Sequence, residues 1–248
     1  GYFPSVAVAW RMNEESFLKG FDELSNLKLR LSWGESGQSA IDPYQTVGLL
    51  GSSTYSFNND LASGLYPKTM SNKNLTWETT SVFDLGVDFG FFNNRLSGSV
   101  DVYKSYTRNV LMNRKIPSTN GYTEVMENIG KTENFGIDVA LNSVNIQKKN
   151  FTWTTDFTLS HNKEKIKELA SGALRDEAWF VGEAFQVFYD YKKIGIWQLD
   201  EADEAAKNGQ KPGDIKIQDT DGNGEITPED RVIYSKRPKV TFGINNSF

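Results

Sequence analysis

The chain has 248 residues, no cysteine and one histidine, and its 27 basic side chains against 32 acidic ones leave a formal charge of −5. Zero Cys removes disulfides, thiolate nucleophiles and thiolate metal sites; a single His161 argues against a His-based zinc centre or a Ser/His/Asp triad. The acidic balance argues against a nucleic-acid binder, whose affinity comes mainly from phosphate neutralisation, and a mean hydropathy of −0.51 leaves no run near the roughly 20 apolar residues of a membrane-crossing helix.

The opening GYFPSVAVAW lacks the basic region of a secretory signal and reads as a strand, so the chain is expected to begin within a longer one. NEESFLKGFDEL carries short helical periodicity. LKLRLSWG then alternates, setting Leu27, Leu29, Leu31 and Trp33 against Lys28, Arg30, Ser32 and Gly34. VFDLGVDFGF repeats the pattern, with Phe83, Leu85, Val87, Phe89 and Phe91 opposite Asp84, Gly86, Asp88 and Gly90. The four residues FNNR then predict a tight Asn-Asn turn into RLSGSVDVYK. FGIDVALN, FTWTTDFTLS and KVTFGINN alternate in the same way, and DEADEAAKNG has the other short helical pattern.

Short connections such as FNNR and NSVNIQKKN alternate with long excursions, between residues 34 and 77, 106 and 134, and 160 and 238. That inequality, with strand runs near ten residues, matches a transmembrane barrel, which has short turns at one end and long loops at the other. Trp10, Trp33, Trp77, Tyr103, Tyr106 and Trp153 stand near strand ends, where interfacial girdles form. Half-buried antiparallel sheets of soluble proteins also alternate, so the pattern alone leaves both readings open. The polar faces, rich in Gly, Ser, Thr, Asp and Asn, tip the balance toward a wet lumen.

DTDGNGEITPED, residues 219–230, places Asp219, Asp221, Asn223, Glu225 and Asp230 at positions 1, 3, 5, 7 and 12 of a calcium loop, with Gly224 at the position 6 turn. Carboxylates two residues apart on a tightly wound loop converge on one point, and position 7 contributes its backbone carbonyl. The flanking IKIQ and RVIYSKRP are β-branched or proline-broken, so the paired helices of an EF-hand are not expected. The competing reading is an acidic Asx-turn that holds no ion. Paired carboxylates such as Asp200 with Glu201, or Glu229 with Asp230, are adjacent in sequence and poorly placed for the opposed acid and base of a glycosidase. No catalytic residue is assigned.

Taken in order, FPSVAVAWRMNEESF, LKLRLSWGESG, NLTWETTSVFDLGVDFGFFNNRLSGSVDVYKSYTRNVL, NIGKTENFGIDVAL, FTWTTDFTLSHNKEKI, YKKIGIWQ and the closing segment from PGDIKIQ to Phe248 resemble the SusC/RagA-type TonB-dependent outer-membrane transporters of Bacteroidetes. Asp84, where Asn or a similar polar residue is expected, and SKRPKV, without a glycine before the RP pair, depart from that pattern. The resemblance implies an all-β fold: residues 1–248 as the C-terminal part of an antiparallel transmembrane β-barrel of roughly 22 strands, truncated at both ends, with 161–238 as a long extracellular loop region. It implies a multi-pass barrel in the cell outer membrane, in contact with its lipid, importing glycans, peptides or other oligomeric nutrients without catalysis. Its expected partners are a SusD-like surface lipoprotein and TonB, acting through an N-terminal plug that this sequence lacks; the cofactor expected is a structural Ca2+ at the 219–230 loop. The alternative is a secreted calcium-dependent carbohydrate-binding β module, with Trp179, Phe185, Tyr189, Tyr191 and Trp197 stacking sugars.

Overall fold

A computed structural model describes residues 1–39, 41, 46–117, 119, 121–122, 124–169, 175–176 and 179–248. The seven alternating segments form one antiparallel sheet, ordered β1 (Ser5–Arg11), β2 (Leu24–Gln38), β5 (Glu78–Phe91), β6 (Leu96–Lys115), β7 (Glu124–Lys148), β8 (Phe151–Glu168) and β15 (Val240–Ser247). Among the described residues four small two-stranded sheets stand in the excursions: β3 (Leu50–Phe57) with β4 (Asp60–Pro67), β9 (Arg175–Asp176) with β10 (Trp179–Phe180), β11 (Val187–Tyr191) with β14 (Arg231–Ser235), and β12 (Lys193–Ile196) with β13 (Ile215–Ile217). The helical patterns yield little: a 3-10 turn at Met12–Glu14 and one short helix, α1 (Ala202–Lys207).

Local chemistry explains the turns. Phe92, Asn93 and Asn94 all take positive φ (55°, 55° and 60°) between β5 and β6, as the Asn-Asn signal predicted. Asn58 and Asn59 (φ 50° and 69°) close the β3–β4 hairpin, an element inside what reads from sequence as one long excursion between residues 34 and 77. Asparagine tolerates this region because its short polar side chain bonds to nearby backbone.

On the polar face of the sheet, Arg30 reaches across three strands. Its Nε donates to Asp88 Oδ2 at 3.0 Å, and its Nη2 donates to Asp88 Oδ1 at 2.9 Å and to Asp101 Oδ1 at 2.6 Å. The guanidinium crosses Gly86, which pairs with both Arg30 and Asp101, and a Cβ there would collide with Arg30 Nη2 and Asp101 Oδ1. Glycine therefore makes the bridge possible. Asp101 in turn faces Asp138 on β7, and Ser160 Oγ donates to Asp138 Oδ1 at 2.5 Å, so the bridge offsets a like-charge pair.

The alternation itself is seen, but the closed transmembrane barrel expected from it is not. Among the described residues β1 pairs only with β2, and β15 only with β8, so the two edges do not meet and the sheet is open. Closure needs the first and last strands to share a ladder, and even small barrels take about eight strands to enclose a packed interior. Burial departs from expectation too: β1 is exposed along its whole length, β15 at seven of its eight residues, and apolar side chains such as Phe83 (47% exposed) and Phe242 (72%) are uncovered. The multi-pass outer-membrane arrangement is corrected for the same reason. An open sheet edge in hydrocarbon leaves backbone N–H and C=O groups unsatisfied, at several kcal/mol each. Among the described residues no helix is long and apolar enough to cross a membrane, which leaves crossing by strands untouched.

The best-buried apolar cluster lies away from the middle of the sheet. Met112, Ile166 and Leu169 meet at the far ends of β6 and β8, covered by Val110, Ile129, Trp179, Val181 and Phe185. The chain between β8 and β15 is anchored there: Ile166 N–H donates to the Glu183 carbonyl and Gly182 N–H to the Ile166 carbonyl, both at 2.8 Å.

Candidate metal centre

The 219–230 loop links β13 to β14, so strands rather than helices flank it, as the β-branched neighbours predicted. Gly222 (φ 75°) and Gly224 (φ 86°) supply the left-handed steps that wind it. Asp219 accepts the Gly222 N–H through Oδ1 (2.7 Å) and the Gly224 N–H through Oδ2 (2.8 Å). Asp221 accepts the Asn223 backbone N–H at 3.0 Å, and Asn223 Oδ1 accepts the Glu225 N–H at 2.7 Å. The loop is thus a chain of Asx-type turns, each carboxylate or amide fixed by the backbone two to five residues on.

Asp230 closes the loop from below. It is fully buried, begins the return into β14, and receives the Thr220 N–H on Oδ1 (2.6 Å) and the Thr227 N–H on Oδ2 (2.8 Å). These backbone donors, Thr227 first and then Thr220, hold its carboxyl below the ordinary aspartate range. Thr227, Pro228 and Asp230 form a capped 3-10 turn, a role the sequence reading missed although T-P-E-D carries the signal: a capping residue, Pro at the first position and an acid three residues on.

Of the five residues singled out from sequence, the fold brings the carboxylates of Asp219, Asp221 and Asp230 together, with one oxygen of each lying within 4.8 Å of the others. Two oxygens bound at about 2.4 Å to a common calcium are at most about 4.8 Å apart, so the spacing of this set is compatible with a shared metal ion. Their exposure is graded, from Asp230 (buried) through Asp219 (half-buried) to Asp221 (exposed), which leaves one side of the cluster open. The hydrogen bonds already made leave a lone pair on the oxygens of Asp219 and Asp221, whereas Asp230 Oδ1 already accepts twice from Thr220, from its N–H at 2.6 Å and its Oγ1 at 3.2 Å. The carboxylate of Glu225 is not part of this convergence.

The aromatic residues weighed as a sugar platform are engaged elsewhere. Trp197 is 6% exposed, donates to Gln210 Oε1 at 2.7 Å and carries Lys216 Nζ 4.3 Å above its ring. Trp179 and Phe185 meet each other edge-on at 5.7 Å and pack against the buried cluster, and Arg231 lies over Tyr189 and Tyr191 at 5.7 and 5.1 Å. Lys216 also binds Glu201 Oε1 at 2.5 Å, holding that carboxyl below its ordinary value and so unlike the raised general acid a glycosidase needs.

Residues 1–198 match the family model described as TonB dependent receptor-like, beta-barrel. The chain is similar to TonB-dependent receptor P26 of Formosa agariphila, with 35% identity over 99% of the chain and 26% of that protein. It is 36% identical to TonB-dependent receptor SusC of Bacteroides thetaiotaomicron over 95% of the chain and 25% of that protein. Among solved structures it is similar to the RagAB peptide transporter (TM-score 0.74, 25% identity, 98% of the chain and 27% of that chain) and to the RagAB peptide importer in its closed-closed state (TM-score 0.74, 26% identity, 100% and 28%). The chain spans about a quarter of the length of the curated relatives it matches.

Proposed function

The chain belongs to the SusC/RagA-type TonB-dependent receptor family, whose members are transport proteins and not enzymes, and from that premise we propose that it serves TonB-dependent import of an oligomeric nutrient. The observation that carries this reading is the match along nearly the whole chain, in sequence to a SusC receptor and in fold to a peptide importer. The substrate class is a glycan or a peptide, delivered with a SusD-like surface lipoprotein and drawn in through TonB. Residues 1–248 form the C-terminal part of such a receptor, and 161–238, which carries three of the four small sheets, is its extracellular excursion. The carbohydrate-module alternative loses its support, because the rings it requires are packed or capped.

The test is uptake by cells with and without the intact protein, offered fluorescent maltooligosaccharides and fluorescent oligopeptides in parallel. Loss of one class, reproduced by removing TonB, is the expected result. Unchanged uptake of both would sink the assignment.

The ion at the 219–230 loop is calcium, held by Asp219, Asp221 and Asp230, with Asn223 through its side-chain oxygen and Glu225 through its backbone carbonyl. Hard carboxylate and carbonyl oxygens on a flexible, partly open loop suit calcium, and a Kd of about 10⁻⁴ to 10⁻³ M is expected. Its role is structural, stiffening the entry to β14. At ~1 mM calcium and the tighter limit, mass action slows cleavage of this loop by protease about tenfold, and chelator reverses the effect. Asp219→Ala with Asp221→Ala should abolish that difference. A calcium response that survives the double substitution places the ion elsewhere.

A further inference from the structure

The ladder along the free edge of β8 is interrupted. β15 covers that edge only as far as the pair of Val240 with His161, and the turn at Gly182 and Glu183 takes it up again at Ile166. In a strand, alternate residues present N–H and C=O to the same side. Ile166 bonds outward to Gly182 and Glu183, so Glu164 and Asn162 also point their backbone groups outward, while the residues between them bond to β7. Among the described residues nothing pairs with the outward groups of Asn162 and Glu164. This leaves about 17 Å of strand edge, from His161 to Ile166, with two donors and two acceptors open.

A cavity of about 500 Å3 lies against this gap, walled by the 182–184 turn on one side and residues 235–239 on the other. Its lining holds four fixed positive charges, Lys163, Lys165, Arg237 and Lys239, against the carboxylates of Glu164 and Glu183. Arg237 is paired with Glu164 at 3.1 Å; the three lysines have no carboxylate partner among the described residues. In a chain of net charge −5, this is a local excess of positive charge at an unpaired strand edge.

We infer that the gap between His161 and Ile166 is a β-augmentation site for an acidic peptide segment in extended conformation. The guest adds as a short antiparallel strand, exchanging backbone hydrogen bonds with Asn162 and Glu164. Residues opposite Lys163 and Lys165 fall on the same face as those lysines, so guest carboxylates belong at these alternate positions. Guest residues opposite Asn162 and Glu164 make the backbone bonds, and their side chains contribute less.

The probe is fluorescein-labelled Asp-Val-Asp-Val-Asp, read by fluorescence polarisation with the intact protein in detergent. Binding is expected to fall at least tenfold when the valine nitrogens are methylated and to change less than threefold when the central aspartate nitrogen is methylated. Asn for Asp in the peptide, or Lys163→Glu in the protein, should each weaken binding about tenfold. Because methylation changes only the peptide, a variant that fails to fold does not blur the result. No binding at millimolar peptide, equal tolerance of methylation at both sets of nitrogens, or full competition by free glutamate would each overturn the inference, the last by reducing the gap to a simple anion site.

Discussion

Replacing Ile166 with Ala is expected to destabilise the protein by roughly 2 to 5 kcal/mol, the range for truncating a buried Ile to Ala. Ile166 is 1% exposed and sits with Met112 and Leu169 at the centre of the best-buried apolar cluster. Its side chain touches elements that cannot close onto a cavity independently, because its own N–H and C=O are tied to Glu183 and Gly182. The loss should therefore show in two places. Denaturant midpoint should fall, and protease should cut the 179–185 region earlier than the sheet, since Trp179, Val181 and Phe185 pack on the cavity left behind. By contrast Leu85→Ala, at a position 40% exposed on the uncovered face, should cost well under 1 kcal/mol in the same measurement. Equal costs at the two positions would mean that the buried cluster is not where stability resides.

The second large effect is expected at Asp230. Removing its side chain by Asp230→Ala leaves the N–H groups of Thr220 and Thr227 without their acceptors in a part-buried setting, where unsatisfied donors are costly. Cleavage of the 219–230 loop by protease should accelerate at least about tenfold even in chelator. In chelator the Asp219→Ala, Asp221→Ala pair should change cleavage much less, because the Gly222, Asn223 and Gly224 donors it releases are exposed to water. The pH dependence has a defined sign. The folded carboxyl is depressed below its ordinary value of 3.8, so its contribution is complete above about pH 4 to 5 and is lost as pH falls through the lower folded value. Loop protection in chelator should therefore persist at pH 5 and disappear under stronger acid in the wild type, whereas Asp230→Ala should show no step in that window. A step at the same pH in Asp230→Ala would assign the titration to another carboxyl.

Much of the local structure is written in single residues. Phe83, Leu85, Val87, Phe89 and Phe91 fall on one face of β5 because successive strand residues point to opposite sides, whatever the strand pairs with. Asn93 and Asn94 mark a turn because they tolerate positive φ at low cost, and the spacing of Asp219, Asp221 and Asp230 winds three carboxylates toward one point because Gly222 and Gly224 permit the turns. The end-to-end motif series is likewise a property of the sequence, and the family it indicates is the family shown by comparison. The β3–β4 hairpin was legible in principle, from Asn58 and Asn59 between alternating segments, but is camouflaged by the Ser and Gly around it.

Tertiary structure alone decided the rest, because each remaining feature depends on groups far apart in the chain. Alternation cannot say whether a sheet closes: that depends on whether its first and last strands meet, and here β1 and β15 do not. Nor can it locate the cluster of Met112, Ile166 and Leu169, which lies in stretches of mixed polarity and exists only because the chain returns to cover the ends of β6 and β8. That Asp230 is buried and claimed by Thr220 and Thr227, rather than presented as a bare ligand, follows from the loop folding back on itself across ten residues. The open edge at Asn162 and Glu164 is set by where β15 stops and the Gly182 turn begins, a mismatch between segments nearly 60 residues apart in which no single stretch of sequence carries the signal.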